Sequence, residues 1–138
     1  MKIEVRYVSR SGNTEKVAKA IAAAAGTTAR TIDEPVAPDT ELLFLGGAVY
    51  AFGVDEGLTA YIAALPKSIQ RVSVFSTAAL VKSAYGQMKK LLAEQGLPVS
   101  EAEFHCRGAY KFMHKGRPNA EDLQQAELFT KKVIQDGL

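Results

Sequence analysis

Hydrophobic positions along the chain fall into short runs that alternate between two periods. Ile3, Val5 and Tyr7, extended by Val8, follow the two-residue repeat of a strand. From Asn13 the spacing changes. Val17, Ile21 and Ala24 or Ala25 recur at helical intervals among alanines and lysines, and Gly26 ends that helix. Residues 27–32 are β-branched enough for a short second strand, and 33–40, with Pro35 and Pro38, read as a loop. Residues 42–45 form a continuous apolar run that stops at Gly46-Gly47, the pattern of a strand buried on both faces. Leu58, Ile62 and Leu65 share one helical face, which Pro66 closes. Residues 72–75 repeat the buried-strand pattern. A helix from Val81 or Lys82 to Gln95 turns Tyr85, Met88, Leu91 and Leu92 inward and stops at Gly96, and 99–106 predict a fifth strand. Asn119, followed by acids, caps a last helix carried by Leu123, Ala126, Phe129 or Thr130, and Val133.

Strands that alternate with helices need crossover connections, which make the sheet parallel and cover both of its faces. The expected architecture is α/β, a three-layer doubly wound five-stranded parallel sheet with strand order 2-1-3-4-5, in a single domain over 1–138. Ligands of such sheets sit outside the carboxyl ends of the strands, where the strand order reverses. That points to residues 9–14 and 46–53, with 76–80 beside them.

Composition narrows the options. The chain has 138 residues, 47% hydrophobic and 23% charged, which is globular rather than disordered composition. Its net charge of +2 is too small to imply nucleic acid. The charge is uneven, however. Between Phe104 and Pro118 lie Arg107, Lys111, Lys115 and Arg117, with His105 and His114 and no acid. Such a stretch is either a solvated basic loop or a contact surface for an anion or an acidic partner. Cys106 is the only cysteine, which rules out an intramolecular disulfide and fits a reducing compartment. No apolar run approaches the roughly 20 residues that span a bilayer. With no signal-peptide pattern at the start, a cytoplasmic protein with no membrane contact is expected.

The densest chemistry lies in Ser9, Arg10, Ser11, Gly12, Asn13 and Thr14. These residues link the first strand to the N-terminus of the first helix, where free amides and the helix dipole favour an anion. Three hydroxyls and an amide can donate there, and Gly12 lets backbone approach closely. That donor set suits a terminal monophosphate. A Walker A loop would need a lysine and a second glycine, and a dinucleotide fingerprint would need three glycines; neither is present. The competing reading is a polar turn with a helix cap. Over the neighbouring strand ends, Tyr50 or Phe52 within 46–53 can stack on a flat heteroaromatic ring.

Ser-Arg-Ser-Gly-Asn-Thr resembles the phosphate loop of flavodoxins. The order of elements, the Gly-Gly pair after the third strand, Phe-Ser-Thr at the fourth, and the closing stretch from Cys106-Arg107-Gly108 to Pro118-Asn119 extend the resemblance over nearly the whole chain. It implies FMN as cofactor. The phosphate would lie on Ser9, Arg10, Ser11, Gly12, Asn13 and Thr14. The ring would lie against Ala48, Val49, Tyr50, Ala51, Phe52 and Gly53, and beside Ser76, Thr77 and Ala78. The last of these loops departs from electron-carrier flavodoxins, whose corresponding loop carries an acid and an aromatic. Tyr110 or Phe112 from the basic stretch is a further candidate to cover the ring.

The resemblance implies electron transfer between redox partner proteins, a reductase and an acceptor, by a monomer or weak dimer. Electron-carrier flavodoxins are acidic, and this chain is not, so a different partner and a less reducing flavin are expected. Two alternatives stand beside the carrier. One is a small FMN-dependent NAD(P)H oxidoreductase acting on a quinone-type acceptor; the other is a protein-binding module that has lost FMN. A phosphorylation receiver of the same strand order would need acids after strands one and three, where Ser9 and Gly46-Gly47 stand. No catalytic residue and no metal site is indicated.

Overall fold

The computed structural model describes residues 1–50, 53–78, 83–109 and 114–137, with the backbone alone at 49, 50, 53 and 54. The elements run β1 (Ile3–Tyr7), α1 (Asn13–Ala25), β2 (Ala29–Thr31), β3 (Leu42–Tyr50), β4 (Gly53–Val54) and α2 (Glu56–Ala63). They continue with β5 (Arg71–Ala78), α3 (Tyr85–Glu94), β6 (Phe104–Arg107) and α4 (Ala120–Asp136). Five strands pair in parallel in the order β2-β1-β3-β5-β6. That is the expected 2-1-3-4-5 order once β4, a two-residue antiparallel return on the end of β3, is set aside.

Each face of the sheet has its own core. Leu43, Leu45, Val72 and Val74 pack against Leu58 and Ile62 of α2 and Met88 and Leu92 of α3. On the other face Leu42, Phe44 and Phe75 meet Val17 and Ile21 of α1 and Ala126 and Val133 of α4. This explains why the run 42–45 is continuous rather than alternating: successive side chains point to opposite faces, and both faces are dry. The helix ends follow the sequence signals. Gly26 and Gly96 take left-handed backbone at φ 74°. Asn119 forms a capping box with Asp122, its side chain accepting from Asp122 N–H while Asp122 accepts from Asn119 N–H.

Strand lengths differ from the sequence expectation. β3 does not stop at Gly46-Gly47 but runs to Tyr50, and β5 runs past Phe75 to Ala78. The glycines are not a turn. A Cβ built on Gly46 would lie 2.0 Å from the Phe75 ring, and one on Gly47 would lie 2.7 Å from Leu58. Both positions are emptied by packing from the two faces, and the strand passes through them. β2 and β6 are shorter than expected, because the edge segments leave the ladder early. Val99 makes only an isolated bridge to Val72, and the next paired residue is Phe104.

Candidate functional site

β1 and β3 run side by side until Tyr7 pairs with Gly46, where β1 ends. β3 goes on for four residues and β5 accompanies it as far as Val49↔Ala78. At about 3.3 Å per residue β3 overhangs β1 by about 13 Å and β5 by about 10 Å. The first loop and the N-terminus of α1 sit over this overhang, at the reversal of strand order.

The loop is shaped locally by Ser9 and Gly12. The Gly12 N–H donates to Ser9 Oγ at 3.0 Å, and Gly12 C=O accepts from Lys16 N–H at 3.2 Å, which starts the helix. Gly12 is the N-cap, at φ 87°, a conformation that costs an ordinary L-residue about 1–2 kcal/mol. No described atom lies within 4 Å of where its Cβ would be, and the backbone conformation by itself selects glycine. Among the described residues no side chain caps α1, whereas the side chains of Asp55 and Asn119 cap α2 and α4. The first turn of α1 therefore keeps main-chain donors that a polar turn with a side-chain cap would have used.

Three long-range contacts then fix the loop. Thr14 is buried, and its Oγ1 lies 2.8 Å from Thr77 Oγ1 on the overhanging part of β5. Exposed Arg10 reaches Asp55 at 2.7 Å. The same carboxylate accepts Gly57 N–H at 2.7 Å, and the Arg10 hydrogen bond, assisted by that amide, holds its pKa below the ordinary aspartate value. The Asn13 side-chain amide donates to Ala109 C=O at 2.9 Å, across 96 residues of sequence. Ser11 stays exposed at the rim.

The other candidates divide by strand alternation. Thr77 faces α1, while Ser76, one residue earlier, faces α3 and accepts the Ala84 N–H at 3.2 Å. Ala48 and Ala78 are buried, Ala48 opposite Thr77 in register. Val49, Tyr50 and Gly53 form the backbone of the β3–β4 hairpin, with Tyr50 paired to Gly53. Ala51 and Phe52, and the aromatics Tyr110 and Phe112, lie outside the described residues. Cys106 is next to Thr77 in register and buried, and burial pushes its thiol up to about 12.

Sequence reading missed Asp55 and the pair Gly108-Ala109. Asp55-Glu56-Gly57 does carry an N-cap signal, an aspartate just before a helix that opens with an acid. Gly108 falls in the closing stretch that carries the resemblance, but nothing local tied it or Ala109 to the first loop, because the contact they receive comes from the opposite end of the chain.

No family model matches the sequence, and no curated protein does. Solved structures do match. Oxidised Flavodoxin 2 from Bacillus cereus superposes with a TM-score of 0.75 at 16% identity, over 99% of each chain. A flavodoxin from the domain Archaea gives 0.70 at 19% identity, over 99% of this chain and 98% of its own. A flavodoxin, WrbA-like protein from Agrobacterium tumefaciens gives 0.72 at 18%, over 97% and 95%. Superpositions of that extent, together with the 2-1-3-4-5 order and helices on both faces, show that this chain has the flavodoxin-like fold.

Proposed function

We propose that the chain binds FMN with its phosphate at the N-terminus of α1 and carries electrons between redox partner proteins. The observation that carries this reading is the first turn of α1, uncapped by any described side chain and set over the overhang of β3 and β5. The donor set fits a monophosphate. The first-turn amides of a helix have no partner within it, Ser11 is exposed, and no described atom lies within 4 Å of where a Gly12 Cβ would be. Ser9 Oγ accepts from Gly12, which leaves its own hydrogen to donate. Thr14 and Thr77 can exchange donor and acceptor roles. With Thr77 donating, Thr14 keeps its hydrogen for an anion.

In this reading Ser9, Arg10, Ser11, Gly12, Asn13 and Thr14 hold the phosphate. Residues 48–53 and 76–78 flank the ring. A bound flavin supplies the electron exchange itself. The protein's part is placement: Arg10 adds positive charge at the loop, and its bond to Asp55 ties the loop to the start of α2. With a net charge of +2, docking by charge complementarity favours partners whose contact surface is acidic.

The test compares FMN with riboflavin, which lacks the phosphate. A charge-assisted hydrogen bond contributes about 1.5–3 kcal/mol, or roughly 10- to 150-fold in affinity. Ser11→Ala and Thr14→Val should each weaken FMN by an amount in that range and change riboflavin binding less than about twofold. Equal losses for both ligands, or no thermal stabilisation by FMN at all, would overturn the reading. Stopped-flow mixing of the flavin-loaded protein with NAD(P)H alone separates a carrier, which stays oxidised without a reductase, from an oxidoreductase.

A further inference from the structure

We infer that Asn13 is a positioning residue that latches the base of the basic stretch onto the first loop, and that the latch couples occupancy of that loop to the N-terminus of α4. The coupling rests on the phosphate reading above; the latch itself does not. Asn13 is the first residue of α1, so its main chain belongs to the turn where the anion is placed. Its side chain points elsewhere and donates to Ala109 C=O at 2.9 Å.

From Ala109 a continuous set of hydrogen bonds leads away. Ala109 N–H donates to Arg117 C=O at 2.9 Å, and Arg117 N–H to His114 C=O at 3.0 Å. The Arg117 guanidinium donates to both oxygens of Asp122, at 2.6 and 2.8 Å. Asp122 in turn accepts from Asn119 N–H and donates its own N–H to Asn119 Oδ1, both at 2.9 Å, closing the capping box of α4. The first residue of α1 and the cap of α4 are thereby joined through residues 109 and 117.

Gly108 shows that this contact is built into the packing. Its N–H donates to Ala78 C=O at the end of β5, at 3.3 Å. A Cβ at position 108 would lie 2.8 Å from Asn13 Nδ2 and 3.2 Å from its Cβ and Cγ. Its φ is not in the left-handed region, so glycine is required there for proximity to Asn13 and not for backbone freedom. The latch can therefore be broken from either side, by removing the amide or by filling the gap at 108. Because binding couplings are reciprocal, an anion that fixes the main chain of residue 13 strengthens the latch by the factor by which the latch strengthens anion binding.

Arg107, Lys111 and Lys115 supply trypsin sites in the stretch. Native-state cleavage there reads the opening equilibrium when opening and closing are fast. In ligand-free protein Asn13→Ala and Gly108→Ala should each speed cleavage about two- to tenfold, the worth of one net hydrogen bond. Asn13→Asp, the same shape without the donor, should match Asn13→Ala. The double variant N13A/G108A should be no more than about twofold faster than the faster single variant, since both remove one contact. FMN should slow cleavage of the unsubstituted protein and slow that of Asn13→Ala less. Unchanged cleavage in Asn13→Ala with urea stability retained, or single effects that multiply, would overturn the latch. If FMN binds in a phosphate-dependent way but protects both proteins equally, the coupling fails and the functional reading stands. If FMN does not bind, the ligand-free comparison still decides whether the latch exists, and the coupling is refuted with the reading it rests on.

Discussion

Replacing Gly46 by alanine tests whether the Gly46-Gly47 pair serves packing or turning. The added Cβ would lie 2.0, 2.2 and 2.5 Å from three atoms of the Phe75 ring, against an optimal carbon–carbon separation of about 3.5–4.0 Å. The ring must retreat by about 1.5 Å, yet Phe75 is fully buried and packed with Phe44, Val17 and Ile21. Overpacking of this kind costs about 1–3 kcal/mol, and a fully buried aromatic belongs at the upper end. Alanine recovers about 0.5–1 kcal/mol of the backbone entropy that glycine loses in a strand. The net expectation is a loss of about 2 kcal/mol. At about 2.1 cal/mol/K per residue, that lowers Tm by roughly 7 °C for a chain of this length. Gly47→Ala is the control, because its Cβ would meet only the far end of Leu58 at 2.7 Å and Val8 at 3.7 Å. It should cost less than about 1 kcal/mol. Phe75→Leu should be less damaging in the Gly46→Ala background than alone, with a favourable coupling above about 1 kcal/mol. Urea titrations of the four variants with an unchanged slope measure all three quantities. Equal small losses at 46 and 47, or no coupling between 46 and 75, would mean that the ring does not occupy the space above Gly46.

Three further outcomes follow from charge and capping. The hydrogen bonds from Arg117 lower the pKa of Asp122, so their contribution is complete above the ordinary aspartate value and is lost as pH falls through the lower folded value. Asp122→Asn should flatten the acid limb of a Tm-against-pH profile, and an unchanged limb would refute that origin. The Cys106 thiol, pushed up to about 12, should react with iodoacetamide at pH 8 about a thousandfold slower in folded than in urea-unfolded protein, and comparable rates would contradict its burial. Asn119→Ala removes the cap of α4 and should cost about 1 kcal/mol in urea denaturation; no loss would mean the capping box adds nothing.

Much of the fold was legible because periodicity reports burial. The alternation of Ile3, Val5 and Tyr7, the helical spacing of Val17 and Ile21, and the cap at Asn119 each correspond to the element they predict. Strand ends were less legible where tertiary contact overrides local preference. Gly46-Gly47 carries a turn signature, but pairing to β5 continues through it and facing side chains take the volume that a Cβ would fill. At the far edge, the strand expected over 99–106 keeps only a bridge at Val99 and does not pair again until Phe104. Propensity could not say where the pairing with β5 would lapse.

The first loop stood out in the sequence for a different reason: glycine, hydroxyls and an amide crowd six consecutive positions at a strand–helix junction. What the sequence could not convey is that several of these groups are already engaged. Ser9 accepts from Gly12, Thr14 meets Thr77, Arg10 meets Asp55 and Asn13 meets Ala109. Three of the four partners stand 45, 63 and 96 residues away. A loop held from three directions would lose little conformational entropy on binding an anion, which in the proposed reading would favour main-chain amides over flexible side chains. It also divides labour within single residues. Asn13 presents its main chain to the first turn of α1 and its side chain to Ala109, so in the proposed reading its side chain would act on a ligand through position rather than contact. In the proposed reading the conspicuous motif would supply the chemistry, and inconspicuous residues elsewhere in the chain, Asp55, Thr77 and Gly108 among them, would supply the geometry that makes it usable.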